Sequence, residues 1–334
     1  MAVAANSGRA PTAKERQVLE ARAARLSRPG IAAQVRAARD ALDGTVPSGG
    51  LVLRYGYAFR AKPADADSSD RKAPPREQRP PATRLGTSRG AALRFHLMLL
   101  ARVQANRKEG QPARLHRWGF TVKGAAGEPG WADLIVSEAI DTKGRDGYST
   151  ARDKRARSVW SALERLEEAG LVDRGSGHLG RNRVDDFVLL NECGTEAVGE
   201  SEEYRVPVRG RDTFSLPSGF IEQGWVHVLE DSEIALLLMI ACAKGALIDG
   251  RYVAVPGDVR LQHYGIHRDP FSKARKTLEW FGLLDVEEVG RHSDGRAEDS
   301  ELLLNRFRLM TETFERPAVE TMVDAMHAQL SRAW

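Results

Sequence analysis

Residues 159–173 (VWSALERLEEAGLVD) and 271–285 (FSKARKTLEWFGLLD) align without a gap at an offset of 112 residues. No other feature limits the fold of this 334-residue chain as much, because an internal repeat means that one supersecondary unit is built twice. The shared positions are Ala162/Ala274, Leu166/Leu278, Glu167/Glu279, Gly170/Gly282, Leu171/Leu283 and Asp173/Asp285. Their order has a physical meaning. An apolar stripe docks a helix, a glycine in the left-handed conformation ends it, and an aliphatic pair opens a strand.

The flanking patterns repeat as well. Apolar periodicity predicts helices over 91–103, 131–139 and 150–169, then strands at 171–173 and 186–190. For the second unit it predicts helices over 231–244, 255–264 and 269–281, with strands at 283–289 and 302–309. Thr150 with Asp153 has capping-box spacing, and Asp231 or Ser232 is the expected cap of the helix over 231–244. Asp269 followed by Pro270 reads as a cap with proline at the first helical position. Each strand pair brackets a tip rich in Gly and Arg, RGSGHLGRNR at 174–183 and GRHSDGR at 290–296.

A helix that ends in this motif and runs into such a hairpin resembles the third helix and wing of winged-helix DNA-binding proteins. The resemblance covers residues 88–191 and 213–311. In tandem, the two units are similar to plasmid replication initiators and transcription regulators of bacteria. The resemblance implies a mainly α fold with small β-hairpins (α+β), two winged helix-turn-helix domains, and double-stranded DNA as partner.

Helical projection selects the residues that would carry this chemistry. Ala156, Val159, Trp160, Leu163 and Leu166 form one stripe, with Lys154, Arg157, Ser158, Ser161 and Arg165 on the other side. Phe271, Ala274, Leu278 and Phe281 oppose Lys273 and Lys276, while Arg155 and Arg275 flank the stripes. Cations and hydroxyls on such a face can reach base edges and phosphates in a major groove. Arg268 leads into the second helix, and Arg174, Arg181, Arg183, Arg291 and Arg296 sit on the hairpins, where guanidinium groups can pair with phosphate.

Charge is distributed unevenly. Residues 1–117 hold 23 Lys and Arg against 9 Asp and Glu, whereas residues 118–334 hold 27 against 37. The excess in the front half suits a polyanion partner. Residues 1–60 read as a basic helical arm, with two short helices over 12–43 broken at Arg28-Pro29-Gly30 and a strand at 51–59. Residues 61–87 are rich in Pro and charge, with almost nothing to bury, and read as a linker. Residues 192–212 read as a connector with an acidic stretch. Residues 312–334 hold a last helix over 316–333. That helix is expected to pack on the second domain, with a homodimer contact through it or through the first domain as the alternative.

Other chemistries lack their motifs. Gly175 to Gly180 satisfies GxGxxG, but a strand rather than a helix is expected after it, so it reads as a hairpin turn. There is no GxxxxGK[ST] and no HExxH. His263 and His267 lie on either side of Gly265, a turn position, which argues against a ligand pair. Asp185-Asp186 and Glu298-Asp299 are adjacent in sequence, and because neighbouring strand residues face opposite ways this argues against paired acid–base carboxylates. Cys193 and Cys242 have no partner spacing. No enzyme, cofactor or metal is therefore expected. Neither a secretion signal nor an apolar run of membrane length is found, so a cytoplasmic, nucleoid-associated protein is expected. A protein-interaction scaffold without direct DNA readout is the second expectation, motivated by the acidic balance of residues 118–334.

Overall fold

The computed structural model describes residues 3–4, 10–65, 71–86, 90–115, 120–124, 128–144, 147–174, 187–194, 202–210, 212–288 and 305–332. Helices and small antiparallel sheets make up these residues, an α+β composition.

After a two-residue strand, β1 (Val3–Ala4), α1 (Ala13–Leu26) opens on a Thr12–Glu15 capping box. α2 (Ile31–Asp40) follows the Pro-Gly break. β2 (Leu51–Arg54) turns into a single helical turn, α3 (Tyr55–Ala58), where the sequence predicts strand as far as 59. The segment read as a linker contains α4 (Pro81–Leu85), with proline starting the helix and with Ala82 and Leu85 buried.

α5 (Ala92–Asn106) is buried on nearly every side. The predicted helix over 131–139 is only a 3-10 turn, Trp131–Leu134. There Asp133 folds back to accept from Gly130 N at 2.9 Å, and the chain leaves in an extended conformation at Ile135. It then forms a hairpin that the sequence reading lacks, β3 (Thr142–Gly144) with β4 (Gly147–Ser149). α6 (Ala151–Glu168), β5 (Val172–Asp173) and β6 (Val188–Leu189) complete the first unit. Residues 202–206, expected as connector, instead run between β6 and the chain at 111–113. Tyr204 N donates to Leu189 O (2.8 Å), and Ala113 N donates to Tyr204 O (2.9 Å).

β7 (Thr213–Leu216) pairs with β2 and leads through two single turns, α7 (Gly219–Glu222) and α8 (Trp225–Val228), to α9 (Asp231–Cys242). A second hairpin absent from the sequence reading, β8 (Leu247–Asp249) with β9 (Tyr252–Ala254), precedes α10 (Gly257–Gln262) and α11 (Arg268–Trp280). β10 (Leu284–Glu288) and β11 (Asn305–Leu309) pair from Leu284↔Leu309 to Glu288↔Asn305. The resulting sheet has the order β1-β10-β11-β9-β8. α12 (Thr311–Phe314) and α13 (Ala318–Leu330) close the chain.

Two caps differ from expectation. α9 is capped by Glu230, whose N–H donates to Glu233 at 2.8 Å, while the Asp231 carboxylate lies 3.3 Å from Arg94. α11 is capped by His267, which places Pro270 third in the helix. Proline is tolerated there because first-turn N–H groups have no intrahelical acceptor.

The repeat survives in atomic detail. Gly170 (φ 69) and Gly282 (φ 71) end α6 and α11 in the left-handed region. Leu171 N donates to Leu166 O, and Leu283 N to Leu278 O, both at 2.9 Å. Gly170 N donates to Glu167 O, and Gly282 N to Glu279 O, which completes the same double-bonded stop twice.

One hydrophobic cluster extends from Leu19 to Met326. α1 runs along α13, and α2 packs on the 3-10 turn of the first unit, so both arm helices lie in the core. Met322 and Met326 of α13 are fully buried. The apolar face considered for a homodimer is thus occupied within the chain. Replacing Gly170 or Gly282 by alanine forces a Cβ into left-handed backbone. Each substitution should lower stability by about 1–2 kcal/mol, read from the urea midpoint at unchanged slope.

Candidate nucleic-acid interface

α6 owes its placement to its first turn. Thr150 and Asp153 form the predicted capping box, with Asp153 N on Thr150 Oγ1 at 3.0 Å and Thr150 N on Asp153 Oδ2 at 2.9 Å. Lys123 pairs with Asp153, and this bond together with the cap holds the carboxyl well below the usual carboxylate range. Arg152 and Arg155 both turn to Asp133, at 2.6 and 3.5 Å, and so bolt the helix to the 3-10 turn. Arg155 also reaches Gln34 Oε1 of α2 and is largely buried, so it is an anchor rather than part of an open face.

The remaining candidates on α6 divide by position. Lys154 donates to Ile140 O at 2.7 Å, and Arg157 donates to Ser149 Oγ at 3.0 Å. Both acceptors are neutral, so neither cation is in a salt bridge, although Lys154 lies in the field of the Asp141 carboxylate. Ser158 bonds back to Lys154 O, and Ser161 is exposed. Arg165 is half-buried in the second half of the helix, where Glu164, Glu167 and Glu168 are exposed. Arg174 is turned onto Glu167 rather than outward. Positive charge on α6 is therefore concentrated in its first two turns.

On α11, Arg268, Ser272 and Lys273 are exposed near the N-terminal end. Lys276 pairs with Glu15 of α1, and Arg275 is half-buried. Arg181, Arg183, Arg291 and Arg296 lie outside the described residues. The structure thus brings Lys154, Arg157 and Ser161 together on one face, and Arg268 and Lys273 on another. Lys276 and Arg174 are bound to carboxylates within the chain.

Much of the cationic surplus of the arm is also bound internally. Arg16 donates to Leu330 O at the end of α13 (2.7 Å), Arg25 and Arg28 pair with Glu138, and Arg54 pairs with Glu192. Arg22 meets Glu233 through two bonds of 2.7 and 2.6 Å and also donates to Val228 O. Thr277 of α11 donates to the same carboxylate at 2.6 Å, so the arm, α9 and α11 share one buried charge centre.

The sequence reading missed the β3–β4 hairpin. Its signal was local, an Asp-Gly turn after Gly144-Arg145. Asp141 locks it to α6, accepting from Tyr148 OH at 2.6 Å and from Ala151 N at 2.7 Å. These bonds hold the Asp141 carboxyl below its ordinary value and raise the Tyr148 hydroxyl.

His96 is buried and His227 half-buried; desolvation, with the Arg94 charge at His227, pushes each down to about 3, so both are neutral at neutral pH. His263 stacks on Phe59 with ring centroids 4.8 Å apart. Among the described residues no group of His, Cys, Asp and Glu could hold a metal ion, and no helix is long and apolar enough to cross a membrane. No family model, curated protein or solved structure matches the chain.

Glu233 supplies a pH test of the arm's anchorage. Burial raises its pKa, but the Arg22 charge and the bonds from Arg22, Thr277 and Glu230 outweigh burial and hold it below its ordinary 4.5. The pair therefore stabilises in full above that value and loses its effect as pH falls through the depressed one. Arg22→Ala should cost about 3–5 kcal/mol at neutral pH, by urea unfolding, because a buried carboxylate loses its partner. The gap to the parent chain should narrow on acidification below pH 4.5.

Proposed function

We propose that the chain is a sequence-specific double-stranded DNA-binding protein with two winged-helix units, a transcription regulator or replication initiator acting at the nucleoid. The observation that carries this reading is the element order of the second unit. Helix α9, strand β9, helices α10 and α11, and the hairpin β10–β11 follow one another, with β11 paired between β9 and β10. That order leaves the N-terminal end of α11 exposed with Arg268, Ser272 and Lys273. A recognition helix reads base edges with its N-terminal residues. The first unit supports the reading with the same helix stop and with Lys154 and Arg157 on neutral acceptors.

A second reading, a protein-interaction scaffold, is favoured by β8. This edge strand exposes Leu247 and Ile248, 61% and 68% accessible, on opposite faces.

The two readings separate on salt. A duplex recovered by selection with the full chain should bind with log K falling linearly against log salt concentration. Lys273→Ala, and Lys154→Ala combined with Arg157→Ala, should each weaken binding, by roughly 1–3 kcal/mol for every base edge that no longer has its hydrogen-bond partner. Affinity that is flat with salt, or unchanged in both variants, would favour the scaffold.

A further inference from the structure

The β3–β4 hairpin stands where a helix-turn-helix would pass directly from its second helix to its third. Lys143 and Tyr148 are directly paired across its strands and therefore share a face. Both are exposed, Tyr148 at 65%. Ile140, 70% accessible, lies at the base of the hairpin, beside the carbonyl that holds Lys154. The hairpin's other face carries Ser149, which holds Arg157.

Cations outnumber unpaired carboxylates on this surface among the described residues: Lys143, Lys154 and Arg157 stand against Asp141, whose donors Tyr148 and Ala151 are neutral and whose charge lies in the field of Lys154. The other nearby carboxylates are paired with cations: Asp153 with Lys123, Glu138 with Arg25 and Arg28, and Asp133 with Arg152 and Arg155. Lys154 and Arg157 rest on neutral oxygens, and Lys143 has no carboxylate partner among the described residues. An exposed aromatic ring paired with Lys143, on a short ribbon next to the first turns of α6 where Lys154 and Arg157 lie, complements a polyanion with planar and sugar surfaces.

We propose that this hairpin is a second DNA-contacting element of the first unit, one that rests on the DNA-binding reading above and extends it. Its Lys143–Tyr148 face lies against the sugar–phosphate backbone beside the groove that α6 enters. Lys143 neutralises a phosphate, and the Tyr148 ring packs on deoxyribose. The contact adds affinity without base preference and fixes the angle at which α6 meets the duplex.

The test uses the full chain, the selected duplex and an unrelated duplex of equal length. Lys143→Glu should weaken binding to both duplexes by about tenfold or more and reduce the salt slope by about 1. Tyr148→Ala should weaken both by several-fold, whereas Tyr148→Phe, which keeps the ring and removes the bond to Asp141, should bind nearly as the parent does. Parental affinity in Lys143→Glu and Tyr148→Ala, with Lys273→Ala still impaired, overturns the hairpin contact and leaves the DNA reading standing. No salt-dependent affinity of the parent chain for any duplex overturns both, and would redirect the surface to an acidic protein.

Discussion

Arg22 and Glu233 stand 211 positions apart and meet through two hydrogen bonds in the core, where neither side chain is more than about 5% accessible. Around that contact the molecule is assembled. The guanidinium belongs to α1, the carboxylate to the first turn of α9, and Thr277 brings in α11. Phe281 lies beneath the guanidinium, 4.9 Å from ring centre. Replacing such a pair by apolar residues is often neutral, so its importance is not net stability alone. It imposes a geometric requirement, since any packing that separates the two strands a charge away from water.

The same arrangement alters the electrostatics inferred from composition. A surplus of arginine in the front half suggests an arm that reaches for polyanions. In the structure Arg16 caps α13, Arg22 is buried, and Arg25, Arg28 and Arg54 meet carboxylates. Their aliphatic stems and the small residues Ala23, Ala38 and Ala41 let these helices sit close to their neighbours. On the two repeated helices, the cations that face outward are gathered at the starts of α6 and α11. Counting charges along the chain could not separate cations that fasten the protein from cations that face outward.

What the sequence revealed followed how local the determining physics is. α6 and α11, their glycine stops and the break between α1 and α2 rest on periodicity and backbone conformation within a few residues, and these were legible. The β8–β9 hairpin was not, because Leu247 and Ile248 are both exposed and give no alternating pattern. The helix expected over 131–139 is one turn, because the chain becomes extended at Ile135 and runs on into the β3–β4 hairpin. The burial of Ala82 and Leu85 in a proline-rich stretch depends on Tyr264, whose carbonyl accepts from Thr83 at 2.9 Å. Of the candidate site, Arg157, Arg268 and Lys273 are exposed, and Lys154 is half-buried with its amine on the neutral Ile140 carbonyl. The ion pairs of Lys276 and Arg174 could not be read from the sequence, because their partners, Glu15 and Glu167, are set by tertiary placement and by the turn after α6.

The placement of α1 also sets an order of events during synthesis. Arg16 finds its acceptor 314 residues further along, and the strand beginning at Leu51 pairs with one ending at Leu216. At translation rates of roughly 5–20 residues per second, α1 would emerge about a quarter of a minute to a minute before the end of α13 exists. α1 is thus made long before the helix it packs on, and until then its buried face must be kept from other chains. Contacts of such long sequence separation also slow folding. Docking of α1 is therefore tied to synthesis of α13, and a ribosome that stalls before α13 would hold a molecule with α1 undocked.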